Sequence, residues 1–198
     1  YEDDPCECFA PKRSNPDAYE DHSDAVIAKM HKAISIIQFK LEGQDILAHP
    51  EYEMEDRLLL DKLDLERGAL RIGGQEYPLK DTNFPTIDPT SPYALSPEEA
   101  KVIEGLVSSF VNCEKLQRHI EFIYKKGSMY KYYNNCLMFH GCIPMEPDGS
   151  FTTLNVYGDI CSGKSLFDCC ERLARQGRYG EEGSEERRRG CDFMWYLW

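Results

Sequence analysis

Positive charge is scarce in this sequence. Its 23 lysines and arginines face 35 aspartates and glutamates, for a formal net charge of −12. Such a chain is repelled by nucleic acid and by anionic lipid, so neither is expected as a partner. An anionic small molecule would need a local cation, from basic side chains or from a metal. No run of about 18 apolar residues occurs, which excludes a membrane-spanning helix, and no charged-then-apolar leader opens the chain. No C-x-x-C and no two pairs at zinc-finger spacing are present. The absence of Gly-x-Ser-x-Gly leaves a serine hydrolase without support. Histidine is limited to five residues, none with a partner three or four positions away that would make a helical metal pair. No internal repeat is found.

What is present is ordinary for a globular chain. Its 198 residues, 41% hydrophobic and 29% charged, suit one large domain or two small ones. Nine cysteines sit at uneven spacing and read as reduced thiols of a cytoplasmic protein. Cys6-Glu7-Cys8 has the donors for a soft metal but lacks a second matching pair. The chain opens on Tyr1 without an initiator methionine and closes on "CDFMWYLW". Domains rarely stop inside so apolar a segment, so a piece of a longer protein is expected.

The periodicity predicts a mostly helical first two-thirds. Residues 1–22 read as an irregular lead-in. Ser23 or Asp24 caps a helix whose apolar positions Val26, Ile27, Met30, Ala33, Ile34, Ile37 and Leu41 recur at three- and four-residue spacing, with Gly43 ending it. "EYEMEDRLLLDKLD" (51–64) predicts a second, shorter helix. Gly73-Gly74 joins two short strands within 69–79. The proline-rich stretch 81–97 reads as a long ordered connection. It ends in Ser96-Pro97-Glu98-Glu99, a helix start, and a further helical segment runs to about Lys126 before Gly127. Strands then flank the turn Asn134-Asn135, "FTTLNVYG" (151–158) is another strand, and 165–176 is helical. Residues 177–190 are expected to be a mobile loop, with 181–190 a solvated charge cluster, and "FMWYLW" a strand.

Two motifs could carry chemistry. Gly158, Gly163, Lys164 and Ser165 satisfy G-x-x-x-x-G-K-[ST], but the preceding "FTTLNVY" is too polar for the buried parallel strand that a phosphate-binding loop requires. Nucleotide binding through Gly158–Ser165 is therefore a weak alternative, and Lys164 near a helix start is a candidate for a substrate phosphate. His22, His49 and His119 read as solvent-facing and His31 as a helix-edge residue. His140 differs: it ends the apolar stretch "LMFHG" and is followed by glycine, so its imidazole stands at a strand end with room beside it. A buried strand with a satisfied core histidine is the alternative reading of the same residues.

The segments "YEDDPCECFAPK", "AKMHKAISIIQFKLEGQ", "LKDTNFPTIDPTSPYALSPEE", "NCEKLQRHIEFIYKKGSMY", "CLMFHGCIP" and "DFMWYLW" together cover nearly the whole chain. They resemble the class III fructose-1,6-bisphosphatases of Firmicutes and related bacteria, a branch of the calcineurin-like metallophosphoesterases. That resemblance implies an α+β fold. Residues 1–126 would be a mainly helical insertion with a small hairpin (69–79), and 127–198 an incomplete segment of a β-sandwich core. It implies hydrolysis of fructose 1,6-bisphosphate in gluconeogenesis, with two divalent ions, usually manganese, that bind phosphate oxygens and activate a bridging water. It makes His140 a ligand of one ion, matching the family's lone-histidine block. The other ligand blocks are absent here, so the fragment alone is expected to be inactive. Phosphorylated effectors, a homo-oligomer, and a purely regulatory or oligomerisation role for the helical part complete the expectations.

Overall fold

A computed structural model describes residues 1–12 and 23–198. The fold class is α+β: among the described residues there are five α-helices and seven strands of two to four residues. None of these helices is long and apolar enough to cross a membrane. The chain divides into two compact units, Tyr1–Val107 and Ser108–Trp198.

The first unit is built on α1 (Asp24–Ala48), with Ser23 as its N-cap: the Ser23 hydroxyl accepts from the Val26 amide at 3.4 Å. Gly43 does not end the helix as expected. A Cβ there would lie 2.0 Å from Tyr93 Cδ1, so glycine serves close packing against a ring, and the helix continues to Ala48. The buried face also differs from the expected stripe. Val26, Met30 and Ile34 are exposed, whereas Ala28, Lys32, Ile36, Lys40 and Gly43 are buried along with Ile37. Periodicity alone ranks lysine as a surface residue; here each ammonium meets carboxylates. Lys32 Nζ lies 2.6 Å from Asp4 Oδ2 and 2.7 Å from Asp81 Oδ2. Lys40 Nζ lies 2.7 Å from Glu99 Oε2 and donates to the Thr86 carbonyl at 2.5 Å.

The expected helix over 51–64 is absent. Three 3-10 turns, Pro50–Tyr52, Glu55–Arg57 and Leu60–Lys62, stand in its place, followed by strand β1 (Leu63–Asp64). β1 pairs antiparallel with β2 (Ala69–Ile72), which forms the predicted hairpin with β3 (Gln75–Pro78). Gly73 and Gly74 take φ of +56° and +80° at its turn. The 81–97 connection is ordered by packing, since Ile87 and Tyr93 are buried. Helix α2 (Pro97–Val111) begins where expected: the Glu99 amide donates to Ser96 Oγ, and the Ser96 amide to Glu99 Oε2 at 2.8 Å.

The second unit contains α3 (Glu114–Lys126), the hairpin β4 (Tyr130–Tyr133) and β5 (Cys136–Phe139), the hairpin β6 (Thr153–Val156) and β7 (Asp159–Ser162), and helices α4 (Gly163–Tyr179) and α5 (Glu185–Leu197). Asn134 and Asn135 both have positive φ at the first hairpin turn, as predicted. Helix α5 corrects two expectations, the mobile loop over 177–190 and the strand "FMWYLW". Ser184 caps it, accepting from the Arg187 amide at 3.2 Å, with Glu185 and Glu186 in its first turn. The charged run is solvated as expected, but it pairs along a helix: Arg189 with Glu185 at 2.9 Å and Arg188 with Asp192 at 3.3 Å. Gly177 and Gly190 let α4 and α5 approach, a Cβ on Gly190 falling 2.3 Å from the Gly177 nitrogen. Val156, Cys161, Leu166, Cys169, Cys170, Leu173 and Phe193 form the core.

Candidate functional site

Hairpin β4–β5 places His140. Its register pairs Tyr130 with Phe139, so His140 is the first residue beyond the last pair. The chain then turns at Gly141, with φ of +81° and open space where a Cβ would point. The expected buried strand is absent: every residue of β5 is exposed, and so is His140. Among the described residues the hairpin forms a two-stranded sheet, β4 with β5. Within these residues His140 is therefore not part of a core.

An aromatic stack joins this end of the hairpin to α4. Phe167 stacks on Tyr130 at 6.2 Å between ring centroids and lies 6.0 Å from Phe139. One residue further on, the Asp168 carboxylate takes two partners. It accepts from the Tyr130 hydroxyl at 2.9 Å and from Lys164 Nζ at 2.5 Å. Lys164 Nζ also lies over the Tyr130 ring, 5.4 Å from its centroid. His140 and Lys164, selected separately from the sequence, thus belong to elements joined by one stack. The hydrogen bonds to Asp168 and then Tyr130 hold the Lys164 ammonium above its ordinary pKa, and Lys164 in turn lowers that of Asp168. The corner therefore carries a persistent cation, paired with Asp168, on a largely exposed side chain. Lys164 and Asp168 are four residues apart on α4, which starts two residues before the predicted helix and so takes in Lys164; the part played by Tyr130 follows only from the hairpin register.

The phosphate-loop alternative at Gly158–Ser165 is overturned by local geometry. Tyr157 and Gly158, with φ of +52° and +97°, form the turn between β6 and β7. The residues that would have to wrap a phosphate are extended as β7, antiparallel to β6 from Val156↔Asp159 to Thr153↔Ser162. The Ser165 hydroxyl is occupied as an acceptor from the Ser162 amide at 2.9 Å.

The remaining candidates do not converge. Cys6 is buried and Cys8 exposed. His31 Nδ1 lies 3.2 Å from the Phe9 carbonyl oxygen, and His119 is exposed. His49 is not the solvent-facing residue expected: it is half-buried, stacks on Tyr52 and pairs with Glu51 at 2.9 Å. His22 lies outside the described residues. All nine cysteines are free thiols. Among the described residues no three His, Cys, Asp or Glu side chains form a group that could hold a metal ion. A divalent ion takes about four or more donors, so these residues do not fit a complete metal centre.

The family model described as Firmicute fructose-1,6-bisphosphatase matches residues 1–198. Among curated relatives, a class 3 fructose-1,6-bisphosphatase of Clostridium tetani is 52% identical over 199 residues, and one of Clostridium botulinum strain Alaska E43 is 48% identical over 198. One of Listeria innocua is 46% identical over 198 residues. Each match takes in 100% of this chain but 30% of the relative, so the chain spans less than a third of the length of these proteins. No solved structure matches. On the strength of a match that runs its whole length, the chain belongs to the Firmicute fructose-1,6-bisphosphatase family.

Proposed function

We propose that this chain is part of a metal-dependent phosphatase that hydrolyses fructose 1,6-bisphosphate to fructose 6-phosphate and phosphate in the cytoplasm. The observation that carries the reading is the family match over all 198 residues. The relatives' names supply the substrate. In this reading His140 gives one imidazole to a divalent ion, manganese by family resemblance, and the other donors come from chain outside these residues. Neutral imidazole is a suitable donor for such an ion, and the exposed hairpin end with open space at Gly141 is compatible with that role. Lys164 meets a phosphate of the sugar, which supplies the local cation that a chain of net charge −12 requires.

Residues 127–198 would then belong to the β-sandwich core of a calcineurin-like phosphoesterase, and residues 1–126 to an insertion that serves as a lid, an effector site or a subunit contact. A second reading, in which this part of the protein is only a regulatory or oligomerisation module, draws on the absence of a three-donor group among the described residues. Phosphate release tests the phosphatase assignment, and His140→Ala in the whole protein separates the two readings, since only the first expects metal and activity to be lost. A whole protein containing this chain is expected to hydrolyse fructose 1,6-bisphosphate and to lose that activity with a chelator, while the 198-residue chain alone releases no appreciable phosphate. Hydrolysis by the isolated chain, or none by the whole protein, would contradict the assignment.

A further inference from the structure

A lysine and an aspartate four residues apart on an exposed helix face hold each other weakly, because water competes for both charges and each side chain keeps its rotamers. Lys164 is largely exposed and Asp168 half-exposed, so their pairing alone would leave the ammonium loosely placed. The carboxylate, however, has a second anchor on another element. Asp168 Oδ2 takes Lys164 Nζ at 2.5 Å, and Oδ1 accepts from the Tyr130 hydroxyl at 2.9 Å, across 38 residues of sequence. The Tyr130 ring is itself held. Phe167 stacks on it, and Phe139, opposite Tyr130 in the hairpin register, lies against the same phenylalanine. Tyr130 is half-buried where the rest of β4 is exposed.

We infer that Tyr130 is a positioning residue for the substrate's phosphate: its hydroxyl fixes Asp168, and Asp168 fixes Lys164. This rests on the reading in which Lys164 meets that phosphate, and it adds what holds the cation in place. An ammonium has three donors. One goes to Asp168, and the Tyr130 ring lies against another side of the nitrogen, its centroid 5.4 Å away. A donor is left for a phosphate oxygen. Because the side chain is already ordered, binding loses less conformational freedom than it would with a free lysine. The hydroxyl also draws charge from the carboxylate. Lys164 first, and then Tyr130, holds the Asp168 carboxyl below its ordinary pKa. A phosphate approaching the ammonium thus meets a carboxylate engaged on both oxygens. Without the hydroxyl, Asp168 would move more freely and present more of its charge, and both changes weaken phosphate binding. Tyr130 acts through Asp168 and Lys164, so its effect falls on binding and not on the chemical step.

The test is steady-state kinetics of the whole protein on fructose 1,6-bisphosphate, with the natural sequence, Y130F, K164A and the double variant. Y130F removes the hydroxyl and keeps the stacked ring, and circular dichroism verifies that each form is folded. KM is expected to rise severalfold in Y130F while kcat changes little. In the K164A background the same change is expected to leave KM where K164A alone puts it, because the hydroxyl then has no cation to place. A KM unmoved by Y130F, where K164A raises it, would overturn the inference and leave the Lys164 contact standing. An equal rise in both backgrounds would also overturn it, since the hydroxyl would then serve the structure alone. If K164A leaves KM unchanged, the phosphate contact itself fails and the inference falls with it.

Discussion

Lys40 and Glu99 form a buried ion pair, Nζ to Oε2 at 2.7 Å, that ties the middle of α1 to the first turn of α2 across 59 residues of sequence. The Lys40 side chain is 0% exposed. Removing one partner strands the other's charge in the interior, at a cost of about 3–5 kcal/mol. Glu99→Gln and Lys40→Met are each expected to lower the denaturant midpoint by a corresponding amount. The double variant K40M/E99L is expected to recover most of the loss. Single variants with unchanged midpoints would show the pair to be open to water.

Tyr93 links the 81–97 connection to Asp61, donating to its carboxylate at 2.7 Å. Burial first, and then this hydrogen bond, pushes its hydroxyl up to about 12 from an ordinary 10.0. The folded chain therefore keeps the proton where the unfolded chain has released it. Stability from this group is complete below pH 10 and is lost as pH rises from about 10 towards 12. Unfolding midpoints should fall over that window in the natural chain and fall less in Tyr93→Phe.

Gly43 tests the packing around the same ring. A Cβ at this position would stand only 2.0 Å from Tyr93 Cδ1, so Gly43→Ala must displace the ring or the helix. We expect a loss of about 1–3 kcal/mol by denaturant unfolding, although alanine is the better helix former. A stabilised G43A variant would mean that the ring moves freely.

Lys164→Ala addresses the phosphate contact. In the proposed reading the variant loses a charge-assisted hydrogen bond to phosphate, so KM for fructose 1,6-bisphosphate in the whole protein should rise severalfold. An unchanged KM would remove Lys164 from the substrate site and leave it as a helix-surface ion pair.

Much of the local architecture is legible in the sequence because its signals are local. Ser23 and Ser96 start helices, and Gly73-Gly74 and Asn134-Asn135 turn hairpins, as their residue types predict. The failures have a common cause. The buried face of α1 contains Lys32 and Lys40, whose partners Asp4, Asp81 and Glu99 are distant in sequence. Helix α5 escapes a reading by pattern because an apolar run without alternating polar residues fits strand or helix equally. The deciding cap, Ser184, sits inside a charged stretch with the composition of a loop. At the candidate site, His140 and Lys164 are recognisable one at a time. The stack that relates their elements depends on Phe139, Phe167 and Tyr130, which no spacing rule connects.

The role of His140 as a metal donor is the central claim, and metal content measures it directly. In the whole protein, His140→Ala is expected to lower bound manganese, determined by elemental analysis after gel filtration, and to lower phosphate release with it, while the circular dichroism spectrum is retained. An H140A protein that keeps both its full metal content and its rate on fructose 1,6-bisphosphate would contradict the assignment.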